Sequence, residues 1–229
     1  MKIIILHGWT KKLGQWQSFI ANLKEKGISS DLLKIPGLTS SLKKAWTLTD
    51  YVNWLKNIID KEKVKVILLG HSNGGRIALS FANLYPEKVE KLILIDSAGI
   101  YHNELLHRIK IFVFKAIAKI GKQITSSRIL ENMLYKLARE GDYRKSDPIM
   151  KQTMINLLNS DKDLNISRVL IPTLIIWGQE DKITPLSDGK LIHELIKNSK
   201  LEIIEDASHS PQFTHPTEVA NAIINNLAI

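Results

Sequence analysis

Short apolar runs and longer helical repeats alternate along most of this chain. Six runs carry the strand signature: Lys2–His7, Ser30–Ile35, Val64–Gly70, Lys91–Asp96, Thr173–Trp177 and Lys200–Ile204. Most are apolar at consecutive positions, as in Val66-Ile67-Leu68-Leu69, rather than at every second one. A strand half open to water alternates, whereas one covered on both faces reads as a continuous run. Between the runs, apolar residues recur at helical spacing over Gln15–Glu25, Leu48–Ile59, Gly74–Leu84, Leu186–Ile196 and Pro216–Leu227. Thr47 with Thr49 or Asp50 offers a start for the second helix, and Gly27 follows the first where a C-terminal glycine is common. This alternation predicts an α/β fold: a mostly parallel sheet of about six strands with crossover helices.

The alternation breaks once. From about Ile100 to Asn165 there is no strand-like run, only helical repeats over roughly His102–Ile120, Ser126–Arg139 and Pro148–Leu158. Gly121 and the Gly141-Asp142 pair punctuate them. The expected organisation is one α/β core from 1–99 and 166–229, interrupted by a helical insertion over 100–165. A chain of 229 residues is long enough to bury a full core in that arrangement.

Composition narrows the function classes. No stretch approaches the roughly 20 apolar residues of a membrane-spanning helix, so no stable membrane insertion is expected. Ile3–Leu6 is too short for the apolar core of a signal peptide. Cysteine is absent, which excludes disulfides, thiolate catalysis and cysteine metal ligands. A cytoplasmic location follows as the default expectation. The net charge is +9, and much of the basic surplus falls in the insertion. With no dense Arg/Lys run and no nucleic-acid-binding module, it reads as a solvated surface, and no nucleic-acid partner is expected.

The central chemical signal is Gly70-His71-Ser72-Asn73-Gly74, followed by Gly75. A G-x-S-x-G pattern means little in a loose glycine-rich loop. Here it follows a strong strand and opens a helical run, Arg76-Ile77-Ala78-Leu79. A strand turning sharply into a helix holds the serine at the tip in a strained conformation, and small residues on either side let the backbones approach. The helix N-terminus beneath it favours developing negative charge. Ser72 is therefore the candidate nucleophile.

A serine hydroxyl needs a neighbouring base. Of seven histidines, His209 in Ala207-Ser208-His209-Ser210-Pro211 lies between the last strand and the last helix, which fits a Ser, acid, His chain order. His215 directly precedes Pro216 at a helix start and reads as structural. The third member is expected in the loop after Thr173–Trp177, where Asp181 is preferred to Glu180 because a shorter arm suits a tight loop. Asp96, at the end of the preceding strand, is the runner-up acid. The backbone N–H groups of Asn73 and Trp9 are the expected oxyanion donors, Gly8 letting the first loop approach the serine. His7 reads as a buried histidine bracing that loop.

These residues resemble the α/β-hydrolase superfamily in its small, lid-bearing, esterase-like branch. The carried features are His7-Gly8-Trp9, Pro36-Gly37, the Gly70–Gly75 segment, Gly178-x-x-Asp181, Thr184-Pro185 and Ser208-His209. The resemblance implies an α/β-hydrolase fold with a helical cap and a Ser72–His209–Asp181 triad. Three departures stand out. The chain starts at what corresponds to the third standard strand. The Pro36-Gly37 loop lacks the usual preceding Asp and second Gly. The nucleophile is serine rather than the aspartate of haloalkane dehalogenases and epoxide hydrolases.

The expected activity is hydrolysis of small to medium carboxylic esters through an acyl-enzyme, with no cofactor and no metal. A carbon–carbon hydrolase of the meta-cleavage type and a non-catalytic binding protein are the alternatives. The insertion decides substrate. Its first helix, with Leu105, Ile109, Phe112, Phe114 and Ile117, either packs onto the core and partly lines the pocket, forms an acyl slot, or touches a membrane surface. Trp177 and Phe112 are the candidate pocket residues, and Trp9 flanks the same site. Oligomeric state is left open.

Overall fold

The computed structural model describes residues 2–10, 12–102 and 147–227. Six strands form one parallel sheet: β1 (Lys2–Leu6), β2 (Ser29–Leu32), β3 (Val66–His71), β4 (Val89–Ile95), β5 (Thr173–Gly178) and β6 (Ser199–Ile204), in the order β2-β1-β3-β4-β5-β6. The helices are α1 (Gln17–Glu25), α2 (Leu48–Ile59), α3 (Asn73–Leu84), α4 (Pro148–Ser160), α5 (Leu186–Leu195), α6 (Pro211–Thr214) and α7 (Pro216–Asn225). All six expected strands and all five expected core helices form.

Each inner strand feeds two cores. Ile4, Leu6, Leu68, Leu94, Ile175 and Trp177 point into one, against α2, α3 and α5. Ile3, Ile5, Ile67, Leu69, Ile93 and Ile176 point into the other, against α1 and α7. That is why these strands read as unbroken apolar runs.

Boundaries differ where local chemistry overrides the pattern. β2 ends at Leu32 rather than Ile35: Leu33 still donates to the Ile5 carbonyl, but the amide of Ile35 turns to His7 and Pro36 follows. β3 starts at Val66, leaving Val64 75% exposed. A single 3₁₀ turn, Leu13–Trp16, precedes α1. Thr47 and Asp50 form a reciprocal capping box on α2. Gly27 has φ 78°, the left-handed conformation in which glycine ends a helix without strain.

Of the expected insertion, His102–Ile120 and Ser126–Arg139 fall almost entirely outside the described residues, and so does Phe112. The third helix is present as α4. It seats on the core through Thr153, whose Oγ1 accepts from the Trp46 amide at 3.0 Å, and through Asn156, whose side chain donates to the Trp46 carbonyl at 3.1 Å. Among the described residues, no helix is long and apolar enough to cross a membrane.

Candidate active site

The nucleophile candidate sits where β3 turns into α3. Ser72 has φ 53° and ψ −120°, a strained conformation for a residue with a Cβ. Its backbone is held on both sides: the amide donates to the Ile95 carbonyl at 3.1 Å, and its carbonyl accepts from Gly75 and Ala98. The turn is so tight that a Cβ on Gly70 would lie 2.6 Å from the Gly74 carbonyl and the Gly75 Cα. A Cβ on Gly8 would stand 3.0 Å from the Ser72 Cβ, so the loop after β1 passes directly over the serine. The amide of Asn73, as the first residue of α3, has no acceptor within its helix. Of the two expected oxyanion donors, Asn73 directly follows Ser72, and Trp9 directly follows the Gly8 that packs on it.

His209 follows β6, and Asp181 follows β5. His209 Nε2 is 3.0 Å from Ser72 Oγ, and His209 Nδ1 is 2.7 Å from Asp181 Oδ2. A carboxylate only accepts, so Nδ1 carries the proton and Nε2 is left to accept the serine proton. The Asp181 side chain is fully buried. Its Oδ1 accepts from the amides of Ile183 at 2.7 Å and Thr184 at 3.1 Å, and the Thr184 hydroxyl donates to Oδ2 at 2.8 Å. Three donors therefore fix this carboxylate before it meets the imidazole. Glu180 is exposed, its amide bonded to the Ala207 carbonyl.

Asp96, the runner-up acid, holds two backbone amides. Its Oδ1 accepts from the Gly178 amide and its Oδ2 from the Ser210 amide, both at 2.8 Å. Burial pushes its carboxyl up to about 7, against the pull of His209 and the two amides. His71 Nε2 pairs with Ser210 Oγ at 3.2 Å while its Nδ1 is buried without a partner. Burial and the neighbouring His209 hold His71 well below the usual imidazole range. His71, Asp96 and His209 each offer one atom within 4.8 Å of the others. A metal there would take a ring nitrogen of His209 from either Ser72 or Asp181.

His7 is buried, with Nδ1 donating to the Gly8 carbonyl at 2.7 Å and Nε2 facing the Ile35 amide at 3.5 Å. It braces the loop after β1. His215 stands directly before α7, with its amide on the Pro211 carbonyl.

The structure moves one pocket residue. Trp177 has no exposed surface, its indole N–H donates to the Thr184 carbonyl at 2.9 Å, and its ring lies against Gly189. It is a core residue because β5 turns that position toward α5, and it lines neither described cavity. Trp9 does line one. That cavity, about 360 Å³, runs along Trp9, Leu38, Thr39, Leu42 and Met150.

Two contributors escape sequence reading. Thr184, of the Thr184-Pro185 pair, is one: its hydroxyl reaches Asp181, His209 and the Asp96 carbonyl. Arg76 is buried in α3, gripping Asp161 through two bonds at 2.5 and 2.8 Å and the Asn73 side-chain oxygen at 2.6 Å. A lone arginine inside an otherwise apolar helical run was the available signal.

Known proteins are similar along nearly the whole chain. Mouse monoacylglycerol lipase ABHD6 is 24% identical over 253 residues, covering 99% of this chain and 75% of that protein. A 2-hydroxy-6-oxononadienedioate/2-hydroxy-6-oxononatrienedioate hydrolase of Klebsiella pneumoniae is 26% identical over 256 residues, covering 99% of this chain and 86% of that protein. A thermophilic esterase from Thermogutta terrifontis shares the fold, with a TM-score of 0.75 at 20% identity over 100% of this chain and 89% of that one. The family model described as "Serine aminopeptidase, S33" matches residues 1–214, from β1 past the loop that carries His209. The chain belongs to that family of hydrolases and, with its parallel sheet, to the α/β-hydrolase superfamily.

Proposed function

We propose that the protein is a serine hydrolase that cleaves carboxylic esters through an acyl-enzyme, with Ser72 as nucleophile, His209 as base and Asp181 as the acid that orients it. The observation carrying this reading is the continuous line from Ser72 Oγ to His209 Nε2 at 3.0 Å and from His209 Nδ1 to Asp181 Oδ2 at 2.7 Å. As Ser72 attacks the ester carbonyl, its proton passes to Nε2, and the new positive charge on the imidazole faces the buried Asp181 carboxylate. The amides of Trp9 and Asn73 receive the oxyanion. His209 then returns the proton to the departing alcohol, and water repeats the sequence on the acyl-enzyme. In this reading the cavity beginning at Trp9 takes one arm of the substrate, with Met150 of α4 on its wall.

The test is turnover of p-nitrophenyl esters from acetate to dodecanoate, run beside Ser72→Ala. Turnover that Ser72→Ala abolishes is expected, with an optimum at short to medium chains. A folded protein that hydrolyses none of them would overturn the ester reading. A second reading, hydrolysis of a carbon–carbon bond next to a carbonyl, is supported by the Klebsiella relative's named activity. Turnover of such a ring-cleavage product without ester turnover would favour it.

A further inference from the structure

Three non-glycine residues with positive φ gather at one point: Ser72 at 53°, Asp96 at 42° and Ser210 at 123°. Such backbones persist only where their surroundings hold them, and they cluster at functional sites. Ser72 and the neighbour of His209 have evident reasons to be there. Asp96 does not, unless it acts on the same chemistry.

Its contacts say what it acts on. One carboxylate oxygen of Asp96 takes the amide of Ser210, the residue directly after His209, and the other takes the amide of Gly178, which ends β5 ahead of Asp181. Its own carbonyl lies 3.1 Å from the Thr184 hydroxyl that also meets Asp181 and His209. Ser210 is held from its other side by His71. Asp96 therefore ties together the two loops that carry the base and its acid. An oxygen of Asp96 also stands within 4.8 Å of a ring nitrogen of His209, inside a site that excludes water from the carboxylate. A group serving only to tie two amides would do so without burying a carboxyl at the imidazole's side, at a cost in desolvation.

We propose that Asp96 is a positioning residue that holds His209 through Ser210 and serves as its second carboxylate, stabilising the imidazolium alongside Asp181 and partly replacing it when Asp181 is lost. This rests on the triad reading above.

A double-mutant cycle in kcat at pH 8, above the value of about 7 to which burial raises the Asp96 carboxyl, separates the possibilities. Where a triad acid has no substitute, its amide variant loses about 10⁴ in kcat. With Asp96 in place, Asp181→Asn is expected to lose only about 10². Asp96→Asn alone is expected to lose about tenfold in kcat at unchanged KM, and the double variant about 10⁴ or more, beyond the product of the single losses. A double loss equal to that product would overturn the second-carboxylate role, since a merely structural tie weakens both backgrounds by the same factor. Wild-type kcat in Asp181→Asn would instead overturn the triad reading itself. Should Asp96→Asn not fold, the Asp181→Asn protein carrying a phosphonate adduct on Ser72 supplies a second readout. A low-field imidazolium proton is expected in its NMR spectrum, and its absence would sink the proposal.

Discussion

At the end of β4 the Asp96 carboxyl has no exposed surface, and burial raises it to about 7 from an ordinary value near 4. Between those two values the folded protein holds a proton that the unfolded chain has released. Stability therefore falls as pH rises from about 4 to about 7, the reverse of the usual salt-bridged carboxylate. Asp96→Asn loses one acceptor for the amides of Gly178 and Ser210 at every pH, but it never has to bury a charge. The melting temperature of the wild type is thus expected to exceed that of Asp96→Asn most at pH 5, with the gap narrowing toward pH 8. Both proteins share every other titrating group, so the difference isolates this one. A gap that stays constant from pH 5 to pH 8 would mean that Asp96 titrates as an ordinary carboxylate.

Elements are coupled by the buried pair of Arg76 and Asp161, 6% and 7% exposed at their side chains. Arg76 lies one turn into α3, and Asp161 opens the 3₁₀ turn that ends α4. The same guanidinium holds the Asn73 side chain, so the segment returning from the expected insertion is tied to the residue beside the nucleophile. Removing one partner of a buried pair strands the other charge, at a cost of about 3–5 kcal/mol. Asp161→Ala is expected to lower the unfolding free energy by that amount in urea, with Arg76→Met/Asp161→Leu recovering part of it. An Asp161→Ala protein as stable as the wild type would show that water reaches Arg76. The sequence marks Arg76, a lone arginine in an apolar helical run, but not its partner, which lies 85 positions away and falls in no motif. By contrast the strands were legible, since residues such as Ile3–Leu6 and Leu92–Ile95 are buried on both faces and must be apolar. Ser72 stood out because its glycine-flanked motif joins a strand to a helix, and chain order with the length of the acid's arm pointed to His209 and Asp181, which the structure brings within hydrogen-bond distance in one line. Trp177 was misplaced because sequence tells that a strand end is near the site but not which face its last side chain takes. The four-residue α6 was missed because a single turn holds too few positions to show a period.

The sheet order explains why the site lies where it does. From β1 the chain moves outward to β2, then returns to place β3 on the other side of β1. The loops after β1 and β3 therefore leave in opposite directions and open a crevice between them, the place where open α/β sheets bind ligands. Trp9 leaves β1 on one side of that crevice, and Ser72 leaves β3 on the other. Around it the whole molecule carries a net charge of +9, which raises the local concentration of anions at the surface. The field acts through water, so salt shortens its reach, from about 30 Å at 0.01 M to about 8 Å at 0.15 M. An ester bearing a free carboxylate on its acyl arm and a neutral ester of equal length would feel this differently. Over that salt range the KM of the anionic ester is expected to rise several-fold while that of the neutral ester holds. A rise confined to the anionic substrate would place the excess positive charge within reach of the crevice. Equal behaviour of the two would put it on faces remote from the site.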